Sequence, residues 1–193
     1  MEAIRPDLIG FHAHRKLKER TRLRTVTEEN GGANLVNKSV MNETPDQHDP
    51  DWPRYPETVL TFATRPPVEI DLREVPSDSK LAQLRTAGLS EPFAIVTAFD
   101  PEGKNLPGSE NEKRKQELDR RLASMGYKFV HVDCCSPDRS HCECSVAVTM
   151  PRETAVDLAR ELRQVAFFWF DGKLFWILGA IVDTDPLMLP RSS

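Results

Sequence analysis

The stretch FAIVTAFDPEGKNLPGSENEKRKQELDRRLASMG, residues 93–126, decides the fold because it shows a strand, a loop and a helix in direct succession. Residues 93–99 are apolar almost throughout, which is typical of a strand buried on both faces. The Gly, Pro and Asn residues that follow indicate a turn-rich loop. Ser109 and Glu112 then fit a capping box that opens a helix, and Gly126 fits the end of that helix.

The flanking sequence continues the same alternation of strands and helices. It predicts strands in VLTF (59–62), PVEIDLRE (67–74), YKFVHVD (127–133) and CSVAVTM (144–150), and helices in SDSKLAQLRTAG (77–88) and after Pro151. The fold class is therefore α+β. We expect a two-layer sandwich with a ferredoxin-like β-α-β-β-α-β core, an extra C-terminal hairpin strand and an N-terminal extended arm.

The segment VAFFWFDGKLFWIL, residues 165–178, predicts a hairpin around Asp171-Gly172, a dipeptide favoured in two-residue type I′ turns. Its aromatic surface must be covered, either by the chain itself, which is the favoured interpretation, or by another chain. Alternation along the two strands predicts two faces of the hairpin. One face carries Phe167, Trp169, Phe175 and Ile177, and the other carries Phe168, Phe170, Leu174, Trp176 and Leu178. For contact with another chain, the candidate anchors are Phe167, Trp169, Phe175 and Trp176.

The composition divides the chain into three parts. Residues 1–57 are rich in Gly, Asn, Pro and acids and poor in large apolar residues, which predicts an extended polar arm or linker. Residues 58–181 carry the periodic pattern of the α+β domain, and residues 182–193 form a C-terminal tail.

The predicted arm is divided in charge. Residues 1–24 carry seven Lys/Arg against three Asp/Glu, whereas residues 25–58 carry two against seven. A solvated tail is the favoured interpretation of the basic segment 11–24. The alternative is that this segment docks on an acidic partner, either a protein or a nucleic acid. The partner-binding candidates in this segment are Phe11, Arg15, Lys16, Lys18, Arg20 and Arg22.

The N-terminus MEAIRPDLIG has no secretory pattern, and no segment approaches the roughly 20 apolar residues of a transmembrane helix. We therefore expect a cytoplasmic protein without a transmembrane segment. The formal net charge of −4 gives no global attraction to nucleic acid.

All four cysteines lie within HVDCCSPDRSHCEC, residues 131–144. Reduced, unliganded thiols are the favoured interpretation, because cytoplasmic proteins rarely keep disulfides. A zinc ion is the next alternative, and a disulfide is the last. The spacing is unlike that of typical zinc knuckles, because one pair of cysteines is adjacent and the other is separated by a single residue. The candidate metal ligands are Cys134, Cys135, Cys142, Cys144, His131 and His141.

A second polar pattern carries a family resemblance. Its elements are Thr97-Ala98-Phe99-Asp100-Pro101, Ser109-x-Asn111-x-x-Arg114, Glu143-x-Ser145 and Gln164-x-Ala166-x-x-Trp169. This pattern resembles the bacterial DUF3293 family, a domain of unknown function, over about residues 58–180. Where this chain has Asp100 and Arg163, members of the family more often have Asn and Gly. The resemblance implies no activity, and the cysteines are not part of the shared pattern.

The same polar residues predict a crevice at the carboxyl end of the central strand, where α/β layers usually bind ligands. The candidates are Thr97, Asp100, Asn111, Arg114, Glu143, Ser145 and Gln164. The alternative is a structural role, because polar residues at a helix start often serve only as caps. The sequence contains no recognisable nucleophile, base and acid set and no Gly-rich phosphate loop.

Two functions follow from these patterns. The arm and the aromatic hairpin favour an interaction or accessory module whose arm orders on a larger partner. The polar pattern favours an enzyme or a small-ligand-binding domain that uses Asp100, Asn111, Arg114 and Glu143, with a zinc ion at the cysteine-rich hairpin as an option. We favour the module, because no catalytic role can be assigned to a residue.

Overall fold

The structure is a computed structural model that describes residues 45–191. Its helices are α1 (Pro45–His48), α2 (Asp78–Thr86), α3 (Gly108–Ser124) and α4 (Arg152–Glu161), with 3₁₀ helices at Trp52–Glu57 and Pro101–Gly103. Its strands are β1 (Val59–Phe62), β2 (Val68–Asp71), β3 (Phe93–Thr97), β4 (Phe129–Cys135), β5 (Cys142–Val148), β6 (Ala166–Phe170), β7 (Phe175–Gly179) and β8 (Leu187–Leu189). Each strand and helix predicted between residues 59 and 178 is present, which confirms the α+β class.

The described strands form one antiparallel sheet in the order β2-β1-β4-β5-β3-β6-β7-β8, curled into a half-barrel. Phe62 of β1 and Phe93 of β3 show the curl, because their ring centroids lie 6.3 Å apart although β4 and β5 separate their strands. In a flat sheet, strands three positions apart would be separated by about 14 Å. The face that carries these two rings is therefore concave.

Two apolar cores lie on the two faces of the sheet. The concave core contains one or more side chains from every strand, together with Leu81 and Leu84 of α2. The outer core packs Leu118 of α3 and Leu158 of α4 against strand residues such as Val146. The prediction of a two-layer sandwich with helices on one face is therefore wrong. The sheet curls, and α2 packs on the face opposite α3 and α4.

The hairpin of β6 and β7 is present, but its predicted faces are wrong. Phe168 pairs with Ile177, and Phe170 pairs with Phe175. Paired residues share a face, so these four side chains all enter the concave core. The outer core receives the other set, Phe167, Trp169, Trp176 and Leu178.

The turn sets the register of the hairpin. The carboxylate of Asp171 accepts hydrogen bonds from the N–H groups of Lys173 (2.8 Å) and Leu174 (2.9 Å), and the N–H of Asp171 donates to the carbonyl of Leu174 (3.1 Å). The turn is therefore centred on Gly172-Lys173 instead of Asp171-Gly172, so Phe168 pairs with Ile177 instead of with Phe175. Either turn has two residues and places even-numbered residues of β6 beside odd-numbered residues of β7. The predicted faces are wrong because they grouped odd-numbered residues of both strands on one side. Gly172 has a φ of +105°, which a side chain would disfavour.

The predicted capping box at the start of α3 does not form. The helix begins at Gly108, so Ser109 lies in its first turn, and no side chain caps the helix. The carbonyl of Pro107 instead accepts the N–H groups of Glu110 (2.8 Å) and Asn111 (3.1 Å).

Parts of the predicted arm and tail pack on the sheet. Trp52 and Tyr55 contact the concave core, where the Tyr55 ring lies 6.2 Å from the ring of Phe168. Strand β8, from the predicted tail, pairs with β7. Outside the described residues lie the arm candidates Phe11, Arg15, Lys16, Lys18, Arg20 and Arg22. Among the described residues, no helix combines the length and the apolar character of a membrane span.

Candidate functional site

A cleft of about 230 Å³ opens on the concave face, beside the chain segment 49–58. Its apolar part includes Ile95 and Phe168. Five of the seven predicted ligand-binding residues line it, namely Thr97, Asp100, Glu143, Ser145 and Gln164. The antiparallel pairing of β3 with β5 and β6 therefore brings together side chains that are far apart in sequence.

Thr97 and Ser145 lie opposite each other on β3 and β5 and share the concave face. The Thr97 hydroxyl donates to the carbonyl of Cys144 (3.0 Å) and accepts the N–H of Phe99 (3.0 Å). The Ser145 hydroxyl accepts the thiol of Cys134 (3.3 Å) and is otherwise free among the described residues. Ser145 is only 4% exposed, so its free hydroxyl hydrogen-bonding capacity is directed to the cleft.

Asp100 is held at the mouth of the cleft by its own loop. Its backbone is left-handed, with a φ of 42°, a conformation that Asp and Asn tolerate better than most residues. Oδ1 of Asp100 accepts the N–H of Leu106 (2.7 Å) and the Nδ2 amide of Asn111 (2.9 Å). Oδ2 has no hydrogen-bond partner in the described part of the chain.

Asn111 and Arg114, the other two predicted residues, do not line the cleft and instead hold its frame. Nε of Arg114 donates to the carbonyl of Ala98 (2.6 Å), and Nη2 donates to that of Leu162 (3.0 Å). The guanidinium therefore ties the end of β3 to the end of α4. Both residues therefore have a structural role, which was the alternative interpretation of the sequence pattern.

Gln164 reaches the cleft from the chain that follows α4. Its Nε2 amide donates to the carbonyl of Phe99 (2.7 Å), and this fixes the orientation of the side chain, because only the nitrogen can donate. Oε1 then has no partner among the described residues. Gln164 is 6% exposed and lines the cleft, so the remaining accessible surface of its side chain faces the cleft.

Glu143 and His141 form a pair at the opposite side of the mouth. Nε2 of His141 lies 3.3 Å from Oε1 of Glu143, and this hydrogen bond raises the pKa of His141 above 6.5. The negative charges of Glu143, Asp51 and Asp100 act in the same direction.

The segment 49–58 forms a wall that the sequence analysis did not assign to the site. The Tyr55 hydroxyl donates to Oδ2 of Asp49 (2.5 Å), and burial together with the Asp49 charge strongly raises the pKa of Tyr55. Gly103 permits the close approach of this segment, because a Cβ there would lie 2.5 Å from the carbonyl oxygen of His48. The signal for a docked segment was present in DPDWPRYP, residues 49–56, where two aromatic residues alternate with prolines.

The charge of the cleft is mainly negative. Within the described residues its lining carries the carboxylates of Asp49, Asp51, Asp100 and Glu143, and its basic side chains are Arg54 and His141. The guanidinium of Arg54 lies 3.6 Å from the carboxylate of Asp51, so its charge is partly compensated.

The four cysteines divide into a disulfide and two free thiols. Cys135 and Cys142 are bonded to each other, so the prediction of reduced thiols is wrong for this pair. The reason is the register of β4 and β5, which places the two residues directly opposite, with Cα atoms 4.1 Å apart. Cys134 and Cys144 are free, and burial raises the pKa of the Cys134 thiol to about 12.

The six predicted metal ligands do not converge on one point. Cys134 faces the cleft, whereas the thiol of Cys144 lies 3.5 Å from the carboxylate of Asp133 on the other face. His131 contacts Asp119 of α3 (3.0 Å). Among the described residues, no group of three or more His, Cys, Asp or Glu side chains is arranged to hold a metal ion.

The aromatic anchors predicted for a partner are mostly buried. Phe167, Trp169 and Phe175 are 3%, 7% and 1% exposed, and Trp176 donates its indole N–H to Asp171 (2.8 Å). The first three side chains pack inside the domain, so they do not form an exposed surface for another chain.

Comparison with known proteins supports the resemblance seen in the sequence. Residues 96–167 match the model of the family described as "Protein of unknown function (DUF3293)". This match spans α3, β4, β5 and α4, and it contains Thr97, Asp100, Glu143, Ser145 and Gln164. No curated protein and no solved structure matches the chain.

Proposed function

We propose that this domain binds a small polar molecule in the cleft on its concave face. The observation that carries the proposal is that five residues chosen from the sequence pattern line one cleft. Two of them, Ser145 and Gln164, are more than nine-tenths buried and keep hydrogen-bonding capacity that no described residue uses. Buried polar groups normally have hydrogen-bond partners. Buried groups that lack a partner at a cleft therefore favour a ligand that supplies the missing hydrogen bonds.

Binding is favoured over covalent catalysis by the state of the nucleophiles at the cleft. The pKa of the Cys134 thiol is raised to about 12, so the group is protonated at neutral pH and a poor nucleophile. The Ser145 hydroxyl contacts this thiol and has no His or carboxylate partner among the described residues. A serine without a neighbouring base is weakly nucleophilic.

The interaction module remains a prediction for the basic arm, residues 11–24, and a zinc ion remains a prediction for the cysteine-rich hairpin. Bacterial origin and a cytoplasmic location also remain predictions. We further propose that β3 to β6 with α3 and α4 form a ferredoxin-like core, which is supported by the partial strand order β4-β5-β3-β6.

Blocking the cleft tests the proposed function. Ser145→Leu would place a larger side chain in the cleft, and Ser124→Leu, at an exposed position on α3, is the matched control. We expect a fragment library screened by ligand-observed NMR to give hits that bind the wild type and Ser124→Leu alike. Binding to Ser145→Leu should fall by about tenfold or more.

The wild-type protein supplies a second readout that does not depend on the folding of a variant. The hits should shift the side-chain amide resonances of Gln164 in two-dimensional NMR spectra. Hits that bind a folded Ser145→Leu equally well, hits that map elsewhere, or the absence of hits would each contradict the proposed function.

A further inference from the structure

The hydrogen bonds already made at the cleft leave mostly acceptors for a ligand. In the described part of the chain, Asp100 Oδ2, Glu143 Oε2 and Gln164 Oε1 have no hydrogen-bond partner. One of the two N–H groups of the Gln164 amide and the Thr97 hydroxyl proton are already used by backbone carbonyls, while the second Gln164 N–H and the Ser145 hydroxyl proton are not used by a described residue. A ligand that completes this set must therefore supply donors.

The register places these acceptors at one end of the cleft. Ser145 lies opposite Thr97, so Glu143, two residues before Ser145, lies beside the chain that continues from Thr97 to Asp100. Gln164 is bonded to the carbonyl of Phe99, the residue immediately before Asp100. The two carboxylates and the amide carbonyl thus border the same mouth.

The charge at this mouth selects against anions. Arg54, the guanidinium that lines the described cleft, is partly compensated by Asp51. His141 is paired with Glu143, and Asp100 has no basic partner among the described residues. An anionic ligand would meet the carboxylate of Asp100 without a compensating positive charge, whereas a cation would gain its attraction.

The remainder of the cleft is suited to an apolar group. Ile95, Phe168 and the ring of Tyr55 line it, and Tyr55 and Phe168 pack together with ring centroids 6.2 Å apart. A ligand for this cleft therefore needs a charged donor head and a compact apolar body, which distinguishes it from a hydrated metal ion or a sugar.

We propose that the cleft selects a small organic cation, a primary amine whose ammonium group binds Asp100, Glu143 and Gln164 while its apolar body lies against Ile95, Phe168 and Tyr55. This inference rests on the proposed function and specifies its ligand class. An ammonium group carries three donors, which matches the three free acceptors. Buried Gln164 supplies evidence that is independent of the carboxylates, because its carbonyl is neutral and unpartnered.

Three probes of similar size and different charge test the selectivity: benzylamine, benzyl alcohol and benzoate. The full chain is titrated with each probe, and binding is followed by the side-chain amide of Gln164 and the backbone amides of Ser145 and Phe168. We expect benzylamine to bind about tenfold or more tightly than benzyl alcohol, and benzoate to leave these resonances unchanged.

A charge-neutral variant tests the named carboxylates. Asp100→Asn with Glu143→Gln keeps the size of both side chains and an acceptor oxygen on each. The preference for benzylamine over the alcohol should then fall to about twofold or less. The matched control, Glu117→Gln with Asp157→Asn, changes carboxylates that are 70% and 73% exposed and should keep the preference.

The outcomes separate the two proposals. Tighter binding of benzoate, equal binding of amine and alcohol, or an unchanged preference in the charge-neutral variant overturns the amine proposal and leaves cleft binding intact. Fragment hits at the cleft without any shift by benzylamine also overturn the amine proposal alone. No cleft resonance shifted by any fragment or probe overturns both.

Discussion

Asp100 and Asn111 exchange two hydrogen bonds across the loop that joins β3 to α3. The N–H of Asp100 donates to Asn111 Oδ1 (3.0 Å), and Nδ2 of Asn111 donates back to Asp100 Oδ1 (2.9 Å). Asn111 is only 5% exposed, so this exchange is shielded from water. It fixes the left-handed backbone of Asp100 and thereby places the carboxylate at the cleft.

Asn111→Asp should be strongly destabilising at neutral pH. The substitution replaces the Nδ2 donor with a carboxylate oxygen that faces the carboxylate of Asp100, at a cost of about 3 kcal/mol. The loss should be smaller near pH 4, where the introduced carboxyl can take up a proton and donate again. Urea denaturation at the two pH values measures this difference.

The control for this prediction is Asn105→Asp, which introduces the same charge at an exposed position of the same loop. Its effect should stay within about 0.5 kcal/mol. Equal free energies of unfolding for the two variants at neutral pH would show that the exchange does not hold the loop.

Arg163→Gly should raise the free energy of unfolding slightly, by up to about 1 kcal/mol. Arg163 follows the end of α4 with a φ of 61°, a conformation that glycine adopts without steric cost. Its ion pair with Glu102 is at the surface, where water screens it, so its loss should cost little. Thermal and urea denaturation should both show the gain.

Arg163→Ala separates the two contributions at this position. It removes the ion pair but keeps a Cβ in the left-handed conformation, so it should not stabilise the protein. A glycine variant that is no more stable than the alanine variant would contradict the backbone explanation.

Removing the disulfide between Cys135 and Cys142 should lower the free energy of unfolding by about 2–3 kcal/mol, because the bond closes a loop of sequence separation 7. The double variant Cys135→Ser with Cys142→Ser, denatured in urea, measures the loss. Cys144→Ser, at a free thiol, is the control and should change stability less.

Thiol counting tests the same bond directly. The unfolded, unreduced chain should show two reactive thiols, from Cys134 and Cys144, and four after reduction. Four reactive thiols before reduction would mean that the bond is not formed in the protein as isolated.

The pKa of His141 should lie above 6.5 and should fall in Glu143→Gln, because the hydrogen bond to Glu143 is the main cause of its rise. A raised pKa means that the pair stabilises the fold below pH 6.5 and that this contribution is lost as the pH rises through the raised value. NMR titration of the imidazole resonances measures the shift. Glu153→Gln, at an exposed position on α4, should leave the His141 titration unchanged, and an equal titration in all three proteins would contradict the pairing.

Much of the fold is visible in the sequence because each element carries a local signal. Residues 93–96 are apolar without alternation, and this part of β3 is indeed buried on both faces. The register of strand pairing depends less on local sequence than the type of each element does. The turn after β6 is set by the carboxylate of Asp171, which accepts two backbone N–H groups. Phe168 therefore pairs with Ile177, two residues beyond the partner that a turn at Asp171-Gly172 would give.

The site shows the same division between local and non-local information. The sequence pattern indicated Thr97, Ser145 and Gln164, but only strand pairing shows that they line one cleft. The disulfide was the least favoured alternative, and its partners could not be identified from the sequence because they depend on which residues of β4 and β5 lie opposite each other. The wall around Tyr55 was missed because its composition resembles a linker, whereas its two aromatic side chains pack on the concave core.

Contacts between a bound fragment and the cleft would locate the ligand on the concave face directly. Isotope-filtered NOE spectra of the full chain with benzylamine, or with any hit of the fragment screen, report such contacts within about 5 Å. A fragment bound in the cleft should give NOEs to the Ile95 methyl groups and the Phe168 ring. NOEs confined to other surfaces, such as Val156 on α4, or no NOEs with any fragment that binds, would contradict binding in the cleft.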